Sequence, residues 1–292
     1  MAKPRELRRR IRSIQNTRKI TKTMELVATS KLKRAQDRVV AARPYAAALA
    51  EAIGDLYSPA LAERFALLRQ PAAGAIKRVA LVLITANRGL CGAFNANLIR
   101  EARRRIQTLE ADGVTVDLHV VGKKGIGFFR FARRALASQR IDIGDRPTAA
   151  HAAELVAPLM QAFEAGTLDA VEVVFAKFNS AISTPPATLV VLPVTLPDAG
   201  RSGRQPANYI LQPSADAILA RLLPLYVENQ LFRALVETTA GFYGAQRTAM
   251  KSATDNAGDI LDGLRRTYNR ARQAQITQEI AEIVGGAEAL QG

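Results

Sequence analysis

Residues 28–56 read ATSKLKRAQDRVVAARPYAAALAEAIGDL, and this stretch decides the fold. Its apolar positions Ala28, Leu32, Ala35, Val39, Ala42, Ala46, Leu49, Ile53 and Leu56 step alternately by four and three. A seven-residue repeat held over four heptads is the pattern of a left-handed seam between two helices. Upstream, Leu7, Ile11 and Ile14 keep the same frame, but its next places hold Arg18, Thr21 and Glu25. Ile20, Met24 and Val27 lie one residue earlier, so the seam is expected to be slipped or absent around residues 18–27. Pro44 falls inside the pattern. It costs about 3 kcal/mol in an isolated helix interior, and a kink is expected there. As one helix, residues 3–57 would span about 80 Å at the usual rise per residue.

The far end of the chain mirrors this. Ser214 after Pro213 reads as an N-cap, with Asp216 in the first turn. Pro224 is expected to restart or bend the helix, and Gly285-Gly286 to weaken or stop it. Ile276, Ile280, Ile283, Ala287 and Leu290 repeat the four-three step, with Ala and Thr filling much of the earlier seam. Two long helices at opposite ends of one chain most economically pair antiparallel. Two separate helices of an ordinary α-helical bundle remain the alternative.

Between them the texture changes. Residues 79–84 form a short apolar run suited to a strand buried on both faces. A helix carrying Leu98, Ile99, Ala102, Ile106 and Leu109 follows, then a strand at 114–121 and helices at 123–134 and 148–165. Strands at 171–178 and 187–194 close the series, and the short connection between them predicts a hairpin. This alternation predicts an α/β domain with a mostly parallel sheet. Pro193, Pro197, Gly200 and Gly203 mark a linker back to the helical part. The organisation expected is an N-terminal coiled-coil helix at 1–58, a central α/β domain at 76–196 and a C-terminal coiled-coil helix at 210–290.

The α/β domain invites an enzymatic reading that its motifs do not support. The loop from Thr85 to Asn95 offers only Gly89 and Gly92, matching neither phosphate-binding glycine pattern. Gly122-Lys-Lys-Gly125 lacks the Ser or Thr of a magnesium-binding P-loop. Cys91 as nucleophile would need His119 or His151, which the pattern places in a strand and at a helix start. One cysteine and two histidines leave little for a zinc site. No catalytic, cofactor-binding or metal-binding set is expected. No apolar run approaches the ~18 residues of a membrane span. The segment from Met1 to Arg12 is basic without the apolar stretch of a secretory signal. An intracellular, soluble chain is expected.

Charge is the unusual quantity. Lys and Arg number 41 against 26 Asp and Glu, a net +15, of which +9 falls in residues 1–58. Such a balance implies an acidic partner: nucleic acid, an anionic membrane surface or an acidic protein. A basic coiled-coil protein binding nucleic acid stays open on this ground. However, the basic residues of the first helix go around it, with no aromatic before Tyr45 and no base-reading motif.

Several ordered motifs carry a resemblance. Arg10-Ile-Arg-Ser-Ile-Gln-Asn-Thr-Arg-Lys-Ile-Thr-Lys-Thr-Met24 resembles the N-terminal helix of the gamma subunit of F-type ATP synthase. Arg88-Gly-Leu-Cys-Gly-Ala-Phe-Asn95, Leu222-Leu-Pro-Leu-Tyr-Val-Glu-Asn-Gln230, Ala249-Met-Lys-Ser-Ala-Thr-Asp-Asn-Ala257 and Tyr268-Asn-Arg-Ala-Arg-Gln-Ala-Gln-Ile-Thr-Gln-Glu279 are similar to the same family. The resemblance implies a long antiparallel coiled coil of terminal helices with a central α/β, Rossmann-like domain. It implies a non-catalytic rotor shaft that couples ion-driven rotation of the membrane c-ring to conformational change at catalytic beta subunits. The partners implied are alpha and beta subunits, the epsilon subunit and the c-ring, without nucleic acid, bound cofactor or a membrane span. The place implied is peripheral, on the cytoplasmic face of a bacterial inner membrane.

By position, Met24 matches the family's Ile-Thr-Lys-x-Met motif near an acidic loop of beta. Arg272, Gln273 and Thr277 match the Arg-Gln-Ala-x-Ile-Thr motif, whose side chains contact a beta loop in the family. The alternative for Gln273 and Thr277 is that they line a small-residue seam. One departure stands out: Gly241-Phe-Tyr-Gly-Ala-Gln-Arg247 replaces the family's common Ser-Glu-(His or Gln)-Ala-Ala-Arg-Met. Gln246 thus takes the place of the family arginine and Arg247 that of its methionine.

Overall fold

The computed structural model describes residues 4–56, 64–71, 76–195 and 214–291, with side chains through residue 287. The chain divides into two units, residues 29–245 and residues 1–28 with 246–292. Pro197, Gly200 and Gly203 of the expected linker lie outside the described residues, as does the Leu290 side chain.

The larger unit is built on a five-stranded sheet. Its elements are β1 (Arg78–Ile84), α2 (Phe94–Ala111), β2 (Thr115–Val121), α3 (Lys123–Phe131), β3 (Ser138–Arg140), α4 (Ala149–Glu164), β4 (Ala170–Ala176) and β5 (Pro186–Leu192). They follow the first long helix, α1 (Pro4–Leu56), and precede the last, α5 (Ala215–Gln291). The strand order is β3-β2-β1-β4-β5, parallel except for the antiparallel β4–β5 hairpin. β1 is central and buried along all but its first residue, which is why it reads as an unbroken apolar run.

Its alternate residues feed two cores. Ala80, Val82 and Ile84 pack with Phe163 of α4 and with Leu49, Ile53, Leu219 and Leu223 of the long helices. Val79, Leu81 and Leu83 pack with Leu98, Ala102 and Ile106 of α2 and with Leu32 and Val39 of α1. α4 starts where Thr148 and His151 form a reciprocal capping box, so His151 serves as a cap. β3 went unanticipated because three polar residues carry no alternation. α3 ends before the expected Arg134, where Arg133 turns to φ +55°.

Within this unit the long helices run antiparallel: Lys31 lies by Tyr243, whereas Leu49 and Ile53 share a core with Leu219 and Leu223. Both prolines sit inside unbroken helix. Each removes one N–H, to Val40 or Ala220, and both those residues are exposed, leaving their carbonyls to water.

In the smaller unit the two helices also pair antiparallel. The Thr254 hydroxyl donates to Thr21 Oγ1 at 2.8 Å, and Gly258 lies under Arg18. Contrary to the expected slip, the heptad frame runs on through residues 18–27, made of polar and small side chains. Thr21 and Glu25 are half-buried in it and Arg18 is exposed over Gly258, whereas on the alternative stripe only Met24 is half-buried and Ile20 and Val27 are 60% and 50% exposed. Leu7, Ala257 and Leu261 are buried where the seam turns apolar again.

Counted along both helices, the register puts Pro4, the first described residue, level with Ala271. The expected seam of Ile276, Ile280 and Ile283 is therefore corrected. These residues lie beyond the described partner helix and are 47%, 56% and 71% exposed. Gly285-Gly286 continue the helix and do not stop it.

Candidate functional site

In an open α/β sheet the ligand crevice lies at the carboxyl ends of the strands, where strand order reverses. Here that point is the carboxyl end of β1, between β2 and β4. The groups that could cradle a phosphate there are bound to protein. Thr85 Oγ1 donates to the Val121 carbonyl at 2.9 Å and accepts from Gly125 N–H at 3.0 Å. Asn87 Oδ1 accepts the Lys123 N–H at the start of α3, and its amide donates to the Ile141 and Ile143 carbonyls. Gly122, at φ +99°, lies so close to Thr85 that a Cβ would come within 2.1 Å of its carbonyl oxygen. Leu235, Thr238, Thr239 and Phe242 of α5 cover the crevice, leaving a cavity of about 110 Å³. The turn is a seat for a helix.

The residues weighed for catalysis are dispersed. Cys91 is buried, its Sγ receives the Asn95 amide at 3.2 Å, and burial pushes the thiol's pKa up. His119 Nδ1 lies 2.7 Å from Ser138 Oγ, and burial lowers its pKa. Among the described residues no group of three or more His, Cys, Asp or Glu could hold a metal ion.

Sequence reasoning missed a charge cluster beside that seat. Asp145 Oδ2 accepts from Lys31 Nζ at 2.9 Å and from Arg88 Nη2 at 2.5 Å. Burial opposes the carboxylate's charge, but Lys31, the neighbouring Tyr243 hydroxyl and Arg88 outweigh it and hold the pKa at about 2. Lys31 Nζ also stands 5.3 Å over the Tyr243 ring. The phenol is pushed up, first by burial and then by Asp145, so it stays a neutral O–H. Although it lies beside the carboxylate, this buried hydroxyl makes no hydrogen bond of acceptable geometry among the described residues.

Side chains of α5 also tie it to the backbone at the end of β4. Glu237 Oε2 accepts the Phe178 N–H at 3.0 Å, and Thr238 Oγ1 accepts the Ala176 N–H at 3.2 Å, both just where β4 ends. One turn on, a Cβ on Gly241 would lie 3.1 Å from the Phe94 ring, and one on Gly244 would lie 2.9 Å from the Ala181 carbonyl oxygen. Phe242 meets Phe94 edge-on, with ring centroids 6.0 Å apart.

The residues matched to beta contacts lie in the smaller unit. Met24 is half-buried beside the polar seam. Arg272, Gln273 and Thr277 are exposed, on helix beyond the paired part, and the Thr277 hydroxyl bonds back to the Gln273 carbonyl at 3.0 Å. They line no seam.

A family model described as ATP synthase matches residues 3–290. The chain is 68% identical over 292 residues to the ATP synthase gamma chain of Gemmatimonas aurantiaca, covering 100% of both. The chain belongs to the ATP synthase gamma chain family. The gamma chain of Leptospira biflexa is 43% identical over 290 residues, covering 99% of this chain and 100% of that one. Among solved structures, a chain of Euglena gracilis mitochondrial ATP synthase superposes with a TM-score of 0.69 at 20% identity, covering 98% of this chain and 94% of its own. A chain from the central stalk and c-ring of the Tetrahymena thermophila mitochondrial enzyme gives 0.60 at 21% identity, covering 80% and 99%. These two likenesses show the fold.

The packing around residues 241–247 is specific to the side chains found there. Gly241 and Gly244 admit the Phe94 ring and the Ala181 carbonyl. Phe242 and Tyr243 fill the seat with aromatic surface. Nothing in the structure explains the exchange to Gln246 and Arg247, which are half-buried in the smaller unit.

Proposed function

We propose that this chain is the central rotor shaft of an F-type ATP synthase, coupling ion-driven rotation of a c-ring to conformational change at catalytic beta subunits. It carries out no chemistry itself. The observation that carries the reading is the end of α5, where helix continues past its partner with Ile276, Ile280, Ile283 and Val284 exposed. Bare isoleucines at helical spacing need a sleeve of protein around them. A surrounding hexamer of alpha and beta subunits supplies one.

On this reading residues 1–58 and 210–290 form the shaft and residues 76–196 the domain that meets epsilon and the c-ring. Met24, Arg272, Gln273 and Thr277 meet loops of beta. The basic first helix suits the acidic loop near Met24, since complementary charge steers and registers such contacts. No described helix is long and apolar enough to cross a membrane, and the chain reaches the cytoplasmic face of the bacterial inner membrane through its partners.

The test is reconstitution with alpha and beta subunits, following complex size and ATPase turnover with and without this chain. One copy joining each hexamer and raising turnover is the expected result. Failure to incorporate, together with strongly salt-dependent nucleic-acid binding, would return the basic helix to the other reading.

A further inference from the structure

A second cavity, of about 160 Å³, opens beside the Asp145 cluster in the larger unit. Lys31, Arg34 and Arg38 of α1 line one side at helical spacing, Arg146 another, and Tyr243 of α5 a third. Asp145 is the carboxylate in its wall, already bonded by Lys31 and Arg88. Arg34 spends one donor on Ser30 Oγ at 3.2 Å. Arg38 and Arg146 make no hydrogen bond or ion pair among the described residues. Three guanidinium groups thus stand around one hollow, exposed, with most of their donors bound to no protein group.

The independent observation is Tyr243. The residue is 3% exposed and lines this cavity, and its hydroxyl, shut off from solvent beside the Asp145 carboxylate, makes no hydrogen bond of good geometry among the described residues. A buried hydroxyl left unmade costs about 1–3 kcal/mol, so native structures fill such positions. The hollow is far larger than the ~15 Å³ that admits one water, yet below the ~300 Å³ of ordinary small-molecule sites. Planar guanidinium forks and a neutral O–H are all donors, matched to an acceptor with several oxygens and negative charge.

We infer that the Lys31–Arg34–Arg38–Arg146–Tyr243 cavity is a binding site for a tetrahedral oxyanion of the phosphate class. The source is either free inorganic phosphate or the terminal phosphate of a nucleotide. The site does not depend on the rotor reading and is tested on the full chain alone.

The experiment titrates the purified chain with inorganic phosphate, sulfate, ATP and chloride at constant ionic strength, read by calorimetry and by thermal shift. Saturable one-to-one binding of phosphate and sulfate, with none for chloride, is expected. ATP binding at the same site, competing with phosphate, would assign the nucleotide as source. Arg38→Gln and Arg146→Gln are each expected to weaken binding about tenfold, the loss of one charge-assisted contact. Tyr243→Phe keeps the packing and removes only the hydroxyl, and is expected to weaken binding several-fold while urea unfolding moves to higher urea, as the penalty of the unmet hydroxyl is removed. The inference is overturned if phosphate does not saturate the chain, if all three variants bind like the parent, or if only an acidic peptide binds.

Discussion

Replacing Asp145 by Asn keeps the shape of the side chain and removes the charge that Lys31 and Arg88 share. The carboxyl titrates at about 2 against an ordinary 3.8, which would correspond to about 2.5 kcal/mol if the group were fully sheltered. Its side chain is 35% exposed, so solvent screening reduces this to about 1–1.5 kcal/mol. The two cations left behind are 32% and 59% exposed and rehydrate, adding little.

A carboxyl depressed by folding stabilises the native state in full above its unfolded pKa and loses that contribution as pH falls through the native one. Asp145→Asn is therefore expected to unfold at lower urea concentration at pH 7, by about 1–1.5 kcal/mol. That difference should shrink by about half at pH 3. Arg88 and Tyr243, which Asp145 also shifts, both titrate far above pH 7, so between pH 3 and 7 the difference isolates Asp145. Equal stability at pH 7, or a gap that does not narrow at pH 3, would refute the reasoning.

Four further outcomes are expected. Ending the chain after Ala271 removes helix without tertiary cover, so unfolding of the larger unit should change by no more than about 0.5 kcal/mol while ATP synthesis by the assembled complex is lost. Reduced stability with intact synthesis would reverse both halves. Met24→Lys puts a cation at a half-buried apolar position and should lower ATPase turnover and ion pumping several-fold; parental rates would remove Met24 from the contact. Gly122→Ala, at φ +99° against the Thr85 carbonyl, should cost about 3 kcal/mol or more, read as lowered melting temperature or insoluble protein. Glu172 is 4% exposed and holds Arg105 through both oxygens at 2.6 and 2.5 Å. Glu172→Gln should cost about 2–3 kcal/mol, less than a fully sealed pair because Arg105 reaches water, and Glu172→Leu with Arg105→Met should recover most of it.

The heptads and the apolar runs made the two helices and four of the five strands legible, because burial on one face leaves a period in the sequence. The seam around residues 18–27 was misread for a related reason. A pattern scored on apolar residues is blind to Thr21 meeting Thr254, although small hydroxyls bring helices just as close. Periodicity also reports a face and not its cover, so Ile276, Ile280 and Ile283 looked like seam when the described partner helix stops short of them. The Asp145 cluster was beyond reach: Lys31 and Asp145 are 114 residues apart, and neither lies in a motif that points to the other. Met24, Arg272, Gln273 and Thr277, matched by motif, fall on the two long helices, and motif position alone carries no period that reports a surface.

The uncovered end of α5 has two unlike flanks. Ile276, Ile280 and Ile283 form one line along it, while Gln275 with Glu279 and Gln278 with Glu282 bond in pairs along others, at 2.8 and 2.9 Å. A paired coiled coil hides its apolar line and looks much the same from every side. A lone amphipathic helix has a bearing, like the hand of a clock. Turned inside a ring of three identical neighbours, it shows oil to one while showing amides and carboxylates to the others. Three copies of one surface are then never in the same surroundings at the same moment, without any difference in their own sequence.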